Sequence, residues 1–289
     1  ILTTNTMKFF LLCFVLIGTA LATPETSLYE RLATVLAKNL QPETRIVGGT
    51  PAAKSQVTPY LVSLSASSLA YAHVCAGAII GKEWVLTAAH CLSELQKSAV
   101  SVIGLPIYAG LQDRSNVENA QVRNIDFAFA HKQFNVSDVS SPDIALLHVA
   151  QGFDFSASVN SAILPYAQES YANQTALTYG WGLTSAGAEQ FVQELQVANS
   201  TILSVEQCSE VLPEDAPLGA NKICAATSAC FGDGGSPLVY ETSGGSELVG
   251  ITSWSYLPCG TEGRPAVYTE VSRFVKWIAE VQWAYYVLN

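Results

Sequence analysis

From Ile46 onward, short apolar runs alternate with polar, turn-rich stretches. Leu61-Val62-Ser63-Leu64, Ala78-Ile79-Ile80, Trp84-Val85-Leu86, Ala145-Leu146-Leu147, Leu248-Val249-Gly250-Ile251 and Ala266-Val267-Tyr268 are examples. Short strands with turns between them predict an all-β barrel or sandwich. The pattern changes at both ends. In Thr23 to Arg45, Leu28, Leu32, Val35, Leu36 and Leu40 fall at helical spacing and predict a small amphipathic helix. At the other end Val271, Phe274, Val275, Ile278 and Val281 make one apolar face of a terminal helix. No internal repeat or low-complexity tract interrupts the chain, and the stretch after Arg45 is long enough for two packed β units.

The first residues read as processing signals. Met7 is the only methionine, so residues 1–6 read as translated upstream sequence and residues 7–22 as a signal peptide. Lys8 supplies the positive end, Phe9 to Gly18 the apolar stretch and Ala20-Leu21-Ala22 the cleavage site. The apolar run is shorter than the ~20 residues of a membrane span, and the cleavage site speaks against the competing reading of a short anchor. The chain is therefore expected to be secreted and extracellular. Residues 23–45 then form a propeptide and residues 46–289 the main domain.

Secretion changes how the cysteines read. Of seven, Cys13 leaves with the signal peptide, and Cys75, Cys91, Cys208, Cys224, Cys230 and Cys259 remain. An even set in an exported chain implies disulfides, with about 15 possible connectivities. The chain has no CxxC pair and its four histidines are scattered, so no metal and no cofactor are expected. Asn135-Val136-Ser137, Asn173-Gln174-Thr175 and Asn199-Ser200-Thr201 have the form of glycan acceptors. The net charge of −10, without a basic cluster, argues against nucleic acid or an anionic membrane as partners. The acidity itself reads as solubility.

Candidate chemistry sits in three places. Leu86-Thr87-Ala88-Ala89-His90-Cys91 sets a histidine beside a cysteine, and Asp143-Ile144-Ala145-Leu146-Leu147 sets a carboxylate at the start of an apolar strand. A buried carboxylate that holds an imidazole in one tautomer, with the imidazole taking a proton from a hydroxyl, is the Ser-His-Asp design. The third place is Cys230-Phe231-Gly232-Asp233-Gly234-Gly235-Ser236-Pro237. Histidine, then aspartate, then nucleophile loop is the order of the chymotrypsin-like serine proteases. Arg45-Ile46-Val47-Gly48-Gly49 resembles that family's activation site, and Gly180-Trp181-Gly182, Ser253-Trp254 and Pro265-Ala266-Val267-Tyr268 are similar to further landmarks in the same order.

The resemblance covers nearly all of Ile46 to Ala284. It implies two packed six-stranded antiparallel β-barrels with a C-terminal α-helix, and the pairs Cys75–Cys91, Cys208–Cys224 and Cys230–Cys259. It also implies a zymogen. A protease of tryptic specificity would cut after Arg45, and the freed Ile46 ammonium would pair with Asp233. A buried charge is costly without its partner, so the two groups predict each other. The propeptide lacks cysteine, which rules out a tether and a clip module, and in this the chain resembles arthropod digestive members of the family.

Two positions depart from the family pattern Gly-Asp-Ser-Gly-Gly-Pro. Cys230 and Asp233 before the loop, and Pro237 after it, put Gly234 at the nucleophile position and Ser236 at a glycine position. In a comparable triad, losing the serine costs about a millionfold in rate, roughly 8 kcal/mol of barrier. Two residues of extended chain move a Cα by about 6–7 Å, beyond the reach of a serine side chain. The expected protein is a homologue without catalysis that binds peptides, protein inhibitors or partner proteases. It keeps His90, Asp143 and an oxyanion hole from the N–H groups of Gly232 and Gly234. The alternative is an active chymotrypsin- or elastase-like endopeptidase that uses Ser236.

The resemblance assigns the substrate pocket to Ser228, Ser253, Trp254, Ser255 and Ala266. Ser228 replaces the aspartate of trypsin-like members, and Ser255 and Ala266 replace wall glycines, which implies a narrowed apolar pocket. His73, His131 and His148 lie in no motif and read as surface or packing residues. Trp283, Tyr285 and Tyr286 read as a cap behind the terminal helix.

Overall fold

The computed structural model describes residues 49–53, 58–98, 101–183, 188, 190–213, 216, 218–226, 229–259, 261 and 263–288. All belong to one unit, Leu40–Asn289. The signal peptide, the propeptide with its amphipathic segment, Arg45, Ile46 and Ser228 lie outside the described residues.

The first strands are β1 (Thr50–Pro51), β2 (Leu61–Ser65), β3 (His73–Gly81), β4 (Trp84–Thr87), β5 (Pro106–Ala109), β6 (Gln121–Ala130) and β7 (Ala145–Val149). The second half carries β8 (Thr175–Gly180), β9 (Gln196–Thr201), β10 (Lys222–Ala225), β11 (Pro237–Thr242), β12 (Gly245–Ser255) and β13 (Ala266–Glu270). The helices are α1 (Ala89–Ser98), α2 (Val205–Val211) and α3 (Val275–Leu288). All six apolar runs read as strands fall in β2, β3, β4, β7, β12 and β13.

Strands β2-β3-β4-β7-β6-β5 close into a six-stranded barrel by antiparallel pairing. All five residues of β2, and all five of β7, are buried on both faces, which explains why these runs show no polar alternation. The second barrel is assembled as β1-β9-β8-β11-β12-β13-β10. It has seven strands where six were expected, because the two-residue β1 adds to β9 through Thr50↔Val197 and Pro51↔Gln196. Beyond β9 the ring closes on β10 by the Ile202↔Ala225 bridge. Leu203 N–H donates to Cys224 O, and Ala226 N–H to Thr201 O, both at 2.9 Å. Closure leaves few unpaired strand edges.

The terminal helix begins later than its apolar face suggested. Val271 lies in a 3₁₀ turn, Val271–Arg273, before α3. Phe274, Ile278 and Val281 are buried against the core. Tyr286 Oη donates to Glu83 at 2.8 Å and accepts from Trp84 Nε1, and the Tyr285 ring lies 4.1 Å from that of His148. Tyr285 and Tyr286 thus cap the first barrel, whereas Trp283 is 69% exposed and does not. His148 is buried, with Nδ1 2.7 Å from Asp126, and His131 packs on Phe274 and Trp277. No helix among the described residues is long and apolar enough to cross a membrane.

The helices α1 and α2 carried no apolar periodicity strong enough to read. Helix α2 is set by a capping box: Ser204 Oγ accepts from Gln207 N–H, and the Gln207 side chain accepts from Ser204 N–H. The cysteines pair as Cys75–Cys91, Cys208–Cys224 and Cys230–Cys259.

Candidate functional site

The site is built where the two barrels meet. Strand β4 ends at Thr87, and α1 starts two residues later, which delivers His90 at the head of a helix. Asp143 stands just before β7, the strand paired with β4. Adjacent strand ends therefore bring the two residues together. Asp143 Oδ2 lies 2.7 Å from His90 Nδ1, and Oδ1 accepts the His90 backbone N–H at 2.9 Å. Nδ1 carries the proton, since a carboxylate only accepts, and Nε2 presents its lone pair.

The electrostatics follow from burial and pairing. Burial opposes a charge on His90, but the Asp143 carboxylate outweighs it and raises the imidazole pKa above its ordinary value. Burial also pushes Asp143 upward, yet His90 and then Lys222 hold it down, at about 2. Ser253 Oγ donates to Asp143 Oδ2 at 2.7 Å, and Thr269 Oγ1 donates to Asp143 O at 2.8 Å. Behind these hydroxyls lies Lys222, 2% exposed, whose Nζ donates to Ser253 Oγ at 2.9 Å and Thr269 Oγ1 at 3.1 Å. Burial lowers its pKa to about 8 against the attraction of Asp143 and Asp138.

The loop from the second barrel is stapled by its backbone. Ala76 N–H donates to Gly234 O at 2.8 Å, Gly235 N–H to Thr252 O at 3.0 Å, and Thr252 N–H to Ser236 O at 2.9 Å. Gly232 and Gly235 have φ of +91° and +78°, conformations that side-chain-bearing residues rarely adopt. Gly234 is not in that region, so its backbone accepts a side chain. What stands there instead is His90: a Cβ built on Gly234 would overlap Nε2 of the imidazole. Among the described residues none bonds the N–H of Gly232 or Gly234. Ser236 is fully buried, and among the described residues its Oγ has no hydrogen-bond partner, His90 included.

Asp233 turns inward. Its carboxylate accepts from Gly182 N–H at 2.8 Å and Cys230 N–H at 2.9 Å. Burial pushes its pKa to about 7 despite these bonds. A Cβ on Gly180 or on Gly182 would collide with this carboxylate, which is the physical reason for glycine on both sides of Trp181.

The pocket residues divide. Ser253 serves the dyad through its bond to Asp143. Trp254 and Ser255 are half-buried at the end of β12, and Ala266 is completely buried in β13. The sulfurs of Cys75 and Cys91 lie near His90 Nε2 but are bonded to each other.

Two residues at the site carried no motif. His73, read as a surface or packing residue, is 5% exposed and linked by Nε2 to Gly232 O at 2.9 Å and by Nδ1 to Ser63 Oγ at 2.7 Å. Burial lowers its pKa to about 3, so it is neutral. Lys222 had a faint signal, a lone cation opening the apolar run Ile223-Cys224-Ala225.

The Trypsin family model matches residues 46–278. Similar proteins include "Lectizyme" of Glossina austeni, 35% identical over 86% of this chain and 93% of its own. "Trypsin II-P29" of Gallus gallus is 33% identical over 84% and 91% of the two chains. "Fibrinolytic enzyme, isozyme C" of Lumbricus rubellus is 30% identical over 81% and 99%. The paired barrels, the His90–Asp143 pair at their junction and this family match together mean that the chain belongs to the trypsin family of chymotrypsin-like serine proteases.

Proposed function

We propose that the protein is a secreted, non-catalytic member of this family that acts by binding peptide segments, protein inhibitors or a partner protease in its cleft. The observation that carries this reading is at Gly234. The dyad is assembled, but the residue it should activate has no hydroxyl, and the imidazole edge fills that space. The names of two relatives indicate proteolysis, an activity that requires a peptide segment to sit beside the histidine. The three disulfides fit an extracellular life.

In this reading the protein is made as a zymogen. A protease of tryptic specificity cuts after Arg45, and the Ile46 ammonium enters to neutralise Asp233, whose buried carboxylate has only N–H donors around it among the described residues. Ser228, Ser255 and Ala266 give the pocket a preference for apolar side chains.

The test is binding of a chymotrypsin-type protein inhibitor to the cleaved protein, beside exposure to a fluorophosphonate probe. Inhibitor binding without covalent labelling is the expected result. Labelling of Ser236, with peptide hydrolysis, would overturn the proposal in favour of an active endopeptidase.

A further inference from the structure

Near the glycine-rich loop stands an arginine that the dyad does not use. Arg114 lies half-buried between two aromatic rings, its guanidinium carbon 5.6 Å from the centres of both Tyr71 and Phe191. Nη1 donates to Val192 O at 3.0 Å and Nε to Tyr71 Oη at 3.3 Å. Its backbone N–H is pinned to Gln193 O at 2.9 Å. Among the described residues no carboxylate reaches ion-pair distance of this guanidinium. The adjacent Asp113 carboxylate bonds instead with Ser115 N–H and Oγ.

Arg114 lines a cavity of about 290 Å³ with Gln190, Phe191 and Gln193. That cavity adjoins the nucleophile loop, because a Cβ on Gly232 would sit 2.8 Å from the Phe191 ring. With Nε bonded to Tyr71 and one Nη1 proton to Val192, Nη2 and the second Nη1 proton remain to take a carboxylate. Two glutamines beside it add neutral donors.

A line of hydrogen bonds joins Arg114 to the loop. Gly232 O only accepts, so His73 Nε2 carries the proton and Nδ1 must accept from Ser63 Oγ. Ser63 Oγ lies 2.9 Å from Tyr71 Oη, which accepts from Arg114. A donor-only end and an acceptor-only end force one direction on the whole line, Arg114 to Tyr71 to Ser63 to His73 to Gly232.

We propose that the Arg114 cavity is a subsite for a carboxylate on the bound peptide, lying beside Gly232 and selecting acidic ligands. The proposal rests on the binding reading above and deepens it. A partner chain would supply either an Asp or Glu side chain or its own C-terminal carboxylate.

The test is calorimetry of the cleaved protein with three blocked probes. These are acetyl-Ala-Ala-Pro-Phe-Ala-Glu-amide, the same peptide with Gln for Glu, and the Gln peptide with a free C-terminal carboxylate. The Glu probe is expected to bind about tenfold more tightly than the Gln amide. That advantage should shrink at high salt and vanish in Arg114→Gln, while Arg114→Lys keeps part of it. If the free-acid probe gains as much as the Glu probe, the subsite takes a chain terminus, and if it gains nothing it takes side chains. Equal binding of all three probes to the wild type overturns the subsite and leaves the cleft reading standing. Absence of binding by any probe overturns both.

Discussion

His90 holds its Nε2 in the space that a side chain on Gly234 would occupy, while Asp143 grips the opposite nitrogen at 2.7 Å. Gly234 is thus more than a position without a hydroxyl. The imidazole has taken its room.

Restoring the nucleophile therefore needs the ring to rotate against its bond to Asp143. Gly234→Ser should fold, since the backbone there accepts a side chain, and should regain slow hydrolysis of peptides with large apolar residues before the cut. The double variant Gly234→Ser/Ser236→Gly restores the family order and should be faster. Either should exceed the parent by at least about a thousandfold, part of the millionfold that a triad serine supplies. A folded, cleaved double variant that neither hydrolyses such peptides nor reacts with a fluorophosphonate would mean that the site is wired differently.

Ser236 offers the converse experiment. Its Oγ is buried and has no partner among the described residues, an arrangement that costs free energy when a polar group leaves water. Ser236→Ala should raise stability by about 1 kcal/mol and leave binding unchanged. Urea unfolding measures it; a marked loss of stability would show that the hydroxyl has a partner.

Lys222 carries a pH signature. Its folded pKa of about 8 lies below the ordinary lysine value of 10.5. Between these values the unfolded chain binds more protons than the native state, so this residue makes stability rise as pH climbs from about 8 toward 10.5. Below pH 8 the buried charge is a constant burden. Lys222→Met should flatten that part of the profile and stabilise the protein at pH 7 by about 1–3 kcal/mol. Removal of the opposing cation should also raise the His90 pKa, measurable from its imidazole resonances.

Asp233 works in the opposite direction. Its folded pKa of about 7 lies above the ordinary 3.8, so the stability it contributes is present below 3.8 and is lost as pH rises through 7. Uncut protein should be less stable at pH 8 than at pH 5 by an amount that Asp233→Asn removes. Cleavage after Arg45 should reverse the sign, because an ammonium beside the carboxylate favours its charged form. Denaturation midpoints at both pH values, before and after cleavage, decide it.

Most of the architecture could be read from the chain. Runs such as Leu61–Leu64 and Ala145–Leu147 became strands because short apolar segments between turns have few other ways to be buried. The order of His90, Asp143 and the glycine-rich loop marked the site before any distance was known. The two-residue β1 escaped notice because a strand that short has no period and exists only through its pairing with β9. His73 escaped because nothing adjacent in sequence states that it will meet Gly232, 159 positions away.

The sequence by itself determined that position 234 is glycine and position 236 serine, since residue identity is a covalent fact. It also determined Ser236's place in the loop, because Cys230, Asp233 and Pro237 set the register. Only the tertiary structure decided what those facts mean. Packing of one barrel on the other set the His90 imidazole against Gly234 and buried Ser236 out of hydrogen-bond contact with it. It also set Lys222 behind Asp143 and Arg114 against Phe191, the ring next to Gly232. Such contacts join residues far apart in the chain, so they depend on how two barrels meet rather than on any local pattern.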